Sequence, residues 1–267
     1  MSEQPWLRMP VGFGPTVSPR YAPGGGTFDP ATSQRRIMVQ AVFDTDADAV
    51  RALLPPGLET TEEPRIAFEF TYLSELAWLA GRGYNLVGVR VSARHPGDSP
   101  LDGWFQPVVW ENLCEPILSG REELGWSKIF CDLPPAEETD GACRARASWD
   151  GFEFLTLELD GLETTDAAGT ALVPIFHRKY IPATGDWGRA DVDYLTVTPA
   201  GGHPPTLLDR RAAGNARVVI NRPRWEDMPT QHHIVGALAD IPIGDFVSGG
   251  VTRTRGGKDL SDQYRLG

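Results

Sequence analysis

Lys128 is the residue of this sequence whose neighbours most strongly suggest chemistry. It stands between Trp126 and Ile129 in the segment GREELGWSKIF. An ammonium group is strongly hydrated, so apolar neighbours are costly for a charged lysine. A lysine that forms a Schiff base must be neutral to attack a carbonyl carbon, and its pKa must then lie below the usual value of about 10.4. The alternative, which composition alone favours, is a lysine whose stem lies on Trp126 while its ammonium stays in water.

Other common chemistries have little support in the sequence. The five histidines and three cysteines show no HxxxH, HxH or CxxC spacing, so no metal site is predicted. The glycine runs at 24–26 and 256–257 do not match a phosphate-binding loop, and there is no GxSxG motif for a serine hydrolase. We therefore expect no metal and no cofactor.

Composition and charge narrow the class of protein. The chain has 267 residues, 41% of them hydrophobic, and a formal net charge of −11. This charge repels polyanions, so nucleic acid is not an expected partner. The sequence shows neither a secretory leader nor an apolar run of about 18 residues, so we expect no membrane association and a cytoplasmic location. The three cysteines fit a reducing compartment.

The hydrophobic pattern is that of a mainly β protein. Short alternating or β-branched runs bounded by Gly, Pro or Asp predict eight strands, at 36–43, 65–73, 84–93, 143–149, 152–159, 173–182, 192–198 and 216–220. A helix is predicted near Asp46 to Leu54, with Thr45 and Asp48 as its capping pair. Ser119 and Glu122 predict a second short helix, and QHHIVGAL a third.

No composition boundary divides the chain. We therefore predict one domain over residues 1–267, with residues 1–30 as an extended N-terminal arm, and strands that close into a barrel or fold over as a double sheet.

The segment around Lys128 resembles the Glu-Pro…Gly-Arg-Glu…Lys segment of the acetoacetate decarboxylase-like superfamily, with Glu115 before the proline. The likeness extends over about Arg35 to Asp262. It includes four further segments: TDADAVRALLPPGLE, EPRIAFEF, RKYIP and LADIPIGDFVSG. The resemblance implies a closed antiparallel β-barrel with a few short flanking helices, a deep apolar cavity and a homo-oligomer, commonly a tetramer.

The resemblance also implies roles for single residues. The catalytic lysine of the family falls on Lys128, and its arginine falls on Arg36, which could bind a substrate carboxylate with two hydrogen bonds. The first active-site glutamate falls on Glu69, for which Arg36 is the expected partner. Glu115 and Tyr84 are further candidates for proton transfer.

Two positions depart from the decarboxylase pattern. The second glutamate of the family falls on Leu86, and the second lysine falls on Ile129. Burial alone can lower a lysine pKa by several units, so Ile129 is compatible with a neutral Lys128 and adds apolar wall beside it. Leu86 cannot transfer a proton, which argues against acetoacetate as substrate. We expect Leu86, Ile129, Tyr84 and Trp126 to line the substrate site with Arg36.

Three functions follow from these residues and the resemblance. The first is a Schiff-base lyase that acts on a small 2-oxo acid such as pyruvate, either as an aldolase-dehydratase with an aldehyde co-substrate or as a 2-oxo-enoate hydratase. The second is a decarboxylase of a β-keto acid similar to acetoacetate. The third is a non-catalytic barrel that binds a hydrophobic acid. The first is preferred because divergent members of the superfamily imply such activity.

Overall fold

A computed structural model describes residues 9–13, 22–97, 99–166, 173–260 and 262–266. Part of the predicted N-terminal arm therefore lies outside the described residues. The described chain is mainly β, with fifteen strands, two sheets and three short α-helices. None of its helices is long and apolar enough to cross a membrane.

The larger sheet has eleven strands in the order β15-β11-β10-β4-β3-β2-β1-β14-β12-β9, with β5 added beside β4. Its strands are β1 (Arg35–Asp44), β2 (Arg65–Leu76), β3 (Arg82–His95), β4 (Leu101–Glu111), β5 (Lys128–Phe130), β9 (Glu163–Thr164), β10 (Ile175–Pro182), β11 (Ala190–Thr198), β12 (Thr206–Ala212), β14 (Phe246–Arg255) and β15 (Tyr264–Arg265). Most neighbours are antiparallel, whereas β4 runs parallel to both β5 and β10.

The smaller sheet has four strands in the order β13-β8-β7-β6. These are β6 (Glu137–Thr139), β7 (Ala142–Trp149), β8 (Phe152–Asp160) and β13 (Asn215–Ile220). In the described part of the chain neither sheet closes on itself, because β15 and β9 end the larger sheet without pairing with each other. The predicted closed barrel is therefore not confirmed, while the mainly β class is.

The core lies between the two sheets. On β2, β3 and β4, alternate side chains point to this core, among them Phe68, Phe70, Val89 and Trp110. Trp110 contacts Phe154 of the smaller sheet, with the ring centroids 5.0 Å apart. On each of these strands, the side chains that alternate with the core residues point to the opposite face of the larger sheet. That face holds the lysine described below.

The helices are short and mostly lie where the sequence predicts them. They are α1 (Ala47–Leu53), α2 (Cys114–Ser119) and α3 (His232–Ala239). The cap of α1 is Asp46 rather than Thr45, because the Asp46 carboxylate accepts hydrogen bonds from the backbone N–H groups of Asp48 and Ala49. The Thr45 hydroxyl instead donates to the carbonyl of Pro242.

The second helix differs from its prediction. It begins at Cys114 and continues through Ser119 into a π-helical turn over Gly120–Leu124, so Ser119 lies inside the helical segment and does not cap it. Two short 3₁₀ turns, Val11–Phe13 and Ala77–Leu79, complete the helical elements of the described chain.

Candidate active site

Lys128 is buried beside a carboxylate. Its side-chain nitrogen Nζ lies 2.8 Å from Oε1 of Glu111 and donates a hydrogen bond to the carbonyl of Pro116 at 3.1 Å. Lys128 is 5% exposed and Glu111 is fully buried. Neither carboxylate oxygen has a well-aligned hydrogen bond among the described residues, so the contact is an ion-pair distance without hydrogen-bond geometry.

Burial shifts both members of this pair toward their neutral forms. It lowers the pKa of Lys128, although the nearby Glu111 opposes that shift. It raises the pKa of Glu111, although Lys128 opposes that shift as well. Both shifts favour transfer of the shared proton from Nζ to the carboxylate. In its neutral form the pair consists of a nucleophilic amine and a proton-donating carboxylic acid.

The parallel strands β4 and β5 bring the pair together. Lys128 of β5 lies opposite Val109 of β4 in the ladder. Glu111 is two residues after Val109 on β4, so its side chain lies on the same face of the sheet as those of Val109 and Lys128. The π-helical turn before β5 places Gly120 against the lysine stem. A Cβ atom at Gly120 would lie 2.5 Å from Cδ and Cε of Lys128, so any other residue at this position requires the lysine side chain to move.

Trp126 covers the ammonium group, whereas the alternative drawn from composition places only the lysine stem on Trp126 and the ammonium in water. Nζ of Lys128 lies 5.0 Å from the centroid of the indole ring. The indole N–H donates to Oε1 of Gln263 at 3.2 Å, which fixes the ring from the C-terminal segment. The other neighbour in sequence, Ile129, alternates to the opposite face of β5 and packs against the core. The predicted apolar wall at Ile129 is therefore not on the side of the lysine.

Glu69 has a partner other than the one predicted. The guanidinium of Arg90 donates two hydrogen bonds to its carboxylate, each 2.9 Å long, and Arg90 Nε donates to Oε1 of Gln106 at 2.9 Å. Both charged side chains are largely buried. Arg36 therefore does not form the expected pair with Glu69, although the charge of Glu69 raises the pKa of Arg36 against the larger opposing effect of burial.

Arg36 and Tyr84 lie on the same face as the lysine pair. Both pair in register with Leu73, Arg36 from β1 and Tyr84 from β3. Nε of Arg36 is buried and has no hydrogen-bond partner among the described residues. Burial raises the pKa of Tyr84, and the charges of Glu111 and Arg36 also act on it, so its hydroxyl lies near both.

The two remaining predicted site residues, Leu86 and Glu115, differ in position: one lies within the site and the other is exposed. Leu86 lies directly opposite Glu111 in the β3–β4 ladder, within the site. Glu115 is exposed at the start of α2, whereas the next residue, Pro116, is buried and contacts the lysine through its carbonyl. In this chain the predicted proton-transfer role of Glu115 finds no support, because its side chain faces solvent.

His177 is a site residue that the sequence reasoning did not select. It is fully buried on β10, and its ring stacks on Trp126 with the centroids 4.6 Å apart and the planes 13° apart. Burial, followed by the charges of Arg90 and Lys128, holds its pKa well below the ordinary value. His177 is therefore a neutral imidazole close to the lysine.

A surface pocket of about 390 Å³ lies next to the site. Ser127 is among its lining residues, together with Leu54, Phe105 and Tyr180. Lys128 is not, because alternation along the chain places it on the other side of the sheet. The described residues include no group of three or more His, Cys, Asp or Glu side chains that could hold a metal ion.

Sequence reasoning did not select four residues of the site: Glu111, Arg90, Gln106 and His177. Strand alternation could have found Arg90, because it lies six residues after Tyr84 on the same strand face. Glu111 and His177 come next to Lys128 only through the parallel pairing of β4 with β5 and β10. No local pattern predicts such pairings.

The fold and the site define a mainly β protein with a buried lysine–carboxylate pair and arginines close by. The particular family follows from comparison with known proteins. The family model for acetoacetate decarboxylase (ADC) matches residues 8–255, so the chain belongs to that family.

Individual relatives are distant. An acetoacetate decarboxylase of Clostridium botulinum (strain Eklund 17B / Type B) is 25% identical over 176 residues, a match that spans 63% of this chain and 65% of the relative. The structure of acetoacetate decarboxylase from Legionella pneumophila is similar with a TM-score of 0.66 and 18% identity, over 92% of each chain.

A second similar structure belongs to a different enzyme. The enduracididine biosynthesis enzyme MppR, complexed with pyruvate, matches with a TM-score of 0.58 and 18% identity, over 90% of this chain and 95% of that one. MppR has also been solved with the condensation product of pyruvate and imidazole 4-carboxaldehyde. At these identities the two structures establish the fold and nothing more.

Proposed function

We propose that this protein is a Schiff-base lyase in which Lys128 forms an imine with a small 2-oxo acid. The observation that carries the proposal is the buried Lys128–Glu111 pair, with 2.8 Å between Nζ and Oε1. A surface lysine would be protonated near neutral pH, whereas the pKa of this one is lowered by burial. Family membership supports the same general chemistry.

Imine formation needs both members of the pair. The lone pair of Nζ adds to the C2 carbonyl carbon of the acid, and the carboxylic acid of Glu111 protonates the carbonyl oxygen. The resulting hydroxyl group leaves as water after a further proton transfer, which produces the C=N bond. Glu111 then accepts a proton from C3, and the enamine forms.

Condensation completes the preferred reaction. C3 of the enamine attacks the carbonyl carbon of an aldehyde, whose oxygen takes up the proton held by Glu111. Glu111 then removes a second proton from C3 and gives it to the hydroxyl, which leaves as water and so produces a conjugated imine. Hydrolysis releases the unsaturated 2-oxo acid and the free amine. Overall, pyruvate and an aldehyde give an unsaturated 2-oxo acid and one water. The reverse addition of water to an unsaturated acid is the hydratase reaction.

Arg36 is proposed to bind the carboxylate of the substrate. Its buried Nε has no described partner, and an arginine can donate two parallel hydrogen bonds to a carboxylate. Arg90 is less suited to this role because Glu69 and Gln106 already accept its hydrogen bonds. Tyr84, near both Arg36 and Glu111, is the proposed relay for protons between the two ends of the substrate.

A second candidate is decarboxylation of a β-keto acid, which the curated relative favours. Here the imine of Lys128 accepts the electron pair of the breaking C–C bond, CO2 leaves, and Glu111 protonates the enamine carbon. Hydrolysis then gives a ketone. Glu111 supplies an acid close to Leu86, so the leucine does not by itself exclude this reaction.

Product analysis by NMR separates the two reactions. We expect pyruvate with a series of aldehydes to give olefinic proton signals in the presence of the protein, and we expect no acetone from acetoacetate. Acetone and CO2 without condensation would establish the second candidate. Lys128→Ala should abolish either activity. A Lys128→Ala variant that keeps its turnover would contradict both mechanisms. A wild-type protein that binds these acids and turns over neither of them would favour the non-catalytic binding protein.

The assembly and the location of the protein remain predictions. We propose a homo-oligomer, a tetramer, in the cytoplasm. Light scattering of the purified protein tests the first of these, and a monomer at micromolar concentration would contradict it.

A further inference from the structure

Gln106 and His177 are two buried polar side chains on neighbouring strands of the site face. They follow directly after Phe105 and Phe176, which are paired in the parallel β4–β10 ladder. Residues at equivalent positions of a parallel ladder project to the same face of the sheet. Gln106 is 1% exposed and His177 is 0% exposed. Each has one polar atom, Nε2 of Gln106 and Nδ1 of His177, without a hydrogen-bond partner among the described residues.

Arg90 determines the orientation of the Gln106 side-chain amide. Nε of Arg90 can only donate, and it lies 2.9 Å from Oε1 of Gln106. The oxygen end of the amide therefore points to the arginine. Its other end is an N–H donor, and this donor is the atom without a partner.

A series of hydrogen bonds that begins at Trp126 determines which ring nitrogen of His177 is the donor. The indole N–H can only donate, and its acceptor is Oε1 of Gln263. That same oxygen lies 3.0 Å from the Thr198 hydroxyl, which must therefore donate its single proton to it. The Thr198 oxygen is then the acceptor for Nε2 of His177, 3.1 Å away.

Nε2 of His177 therefore bears the proton of the neutral ring, and Nδ1 bears a lone pair. The carbonyl of Leu124, which can only accept, holds the other end of Gln263 and keeps the amide in this orientation. The charges of Arg90 and Lys128 both act on His177, which places the imidazole near both the arginine and the lysine.

We propose that Gln106 Nε2 and His177 Nδ1 form a subsite for one neutral hydroxyl group of the substrate. One atom is a donor and the other an acceptor, and a hydroxyl group or a water molecule is the smallest ligand that satisfies both. A carboxylate could satisfy only the donor. The subsite rests on the proposed function in one respect: the hydroxyl is the one that is lost or gained as water in the lyase reaction.

The cost of leaving such groups without partners supports the proposal. A buried donor or acceptor without a hydrogen bond destabilises the folded state. A fold that keeps two of them with opposite sense, next to a buried lysine, gains that free energy back when a hydroxyl group binds. Two such hydrogen bonds correspond to about a tenfold preference for a hydroxylated ligand over its deoxy analogue.

Binding of 4-hydroxy-2-oxopentanoate and 2-oxopentanoate, measured by calorimetry, tests the subsite. We expect the wild-type protein to bind the hydroxylated acid about ten times more tightly. In Gln106→Glu an oxygen replaces the unpartnered donor while the acceptor for Arg90 remains, so the ratio of the two dissociation constants should fall to about one. Thermal unfolding shows whether that variant is folded.

The results that overturn the subsite differ from those that overturn the proposed function. Equal affinity for the two acids in the wild-type protein, binding of neither, or an unchanged ratio in Gln106→Glu would overturn the subsite. A hydroxyl preference without any borohydride-trapped adduct would overturn the imine mechanism alone. A crystal structure adds a direct check: an ordered oxygen within hydrogen-bond distance of both atoms is expected, and a direct contact between the two side chains would overturn the proposal.

Discussion

Leu86 and Glu111 are partners across the antiparallel β3–β4 ladder, so their side chains lie side by side on one face of the sheet. Leu86 is the position at which the resemblance to the decarboxylases implies an acid that this chain lacks. Glu111, on the next strand, provides a carboxylate 2.8 Å from Nζ of Lys128. The acid missing at position 86 therefore has a neighbour that can transfer protons in its place.

Glu111→Gln tests whether Glu111 transfers protons in place of the acid missing at position 86. Glutamine keeps the size of the side chain but transfers no proton, so we expect turnover to fall by about 10²-fold to 10⁴-fold. Borohydride trapping of the imine should fall as well, because the carboxylic acid of Glu111 protonates the carbonyl oxygen while the imine forms. Turnover equal to that of the wild-type protein would assign proton transfer to another group.

The pH dependence of trapping should reveal the coupled pair. A neutral amine is required, so the trapping rate should rise with pH, with an inflection below the ordinary lysine pKa because burial lowers the value for Lys128. Glu111 opposes that shift, so its removal in Glu111→Gln should move the inflection to lower pH. Trapping rates in overlapping buffers measure this directly. A shift to higher pH in the variant would contradict the arrangement.

Gly120→Ala should displace the Lys128 side chain while its amino group stays chemically unchanged. The added Cβ would lie 2.5 Å from two carbons of the Lys128 side chain, which corresponds to an overpacking cost of about 1–3 kcal/mol. We expect trapping at Lys128 to fall about tenfold or more. Gly24→Ala is the matched control, because a Cβ there has no atom within 4 Å. Equal trapping in both variants would show that the close contact is not required.

Arg90→Met should destabilise the fold through Glu69. The variant leaves a largely buried carboxylate without its two hydrogen bonds, and breaking such a pair costs about 3–5 kcal/mol. The double variant Arg90→Met with Glu69→Gln should recover part of this loss, since it removes the uncompensated charge. Urea unfolding of the four proteins of the cycle measures the coupling. Additive effects would mean that the pair contributes little.

Local patterns predict much of the fold but not the pairing of distant strands. The eight predicted strands are all present, because alternation and bounding Gly, Pro or Asp residues are properties of short segments. Strand β4 (Leu101–Glu111) was not predicted, since it contains Gly103 and Pro107 and is buried on both faces near its end, so it shows no alternation. The closed barrel came from the resemblance and is not seen in the described sheets.

Sequence reasoning could select only those site residues that stand out by their neighbours in sequence or by the resemblance to the family. Lys128 and Trp126 are in contact and Arg36 lies on the same face of the sheet, whereas Glu115 faces solvent and Ile129 faces the core. The partner of Lys128 could not be identified beforehand. Glu111 is seventeen positions away in the chain, and only the parallel pairing of β4 with β5 brings it into contact.

The most direct test of the account is to trap the imine on Lys128. The chain has three lysines, Lys128, Lys179 and Lys258, so peptide mapping after treatment with pyruvate and sodium borohydride can assign an adduct without ambiguity. Lys179→Gln is the matched control, because this partly buried lysine of β10 donates to the carbonyl of Glu122. We expect the adduct on Lys128 in the wild-type protein and in Lys179→Gln, and none in Lys128→Ala. An adduct distributed over the other lysines, or a Lys128→Ala protein that is trapped as well as the wild type, would contradict the central claim.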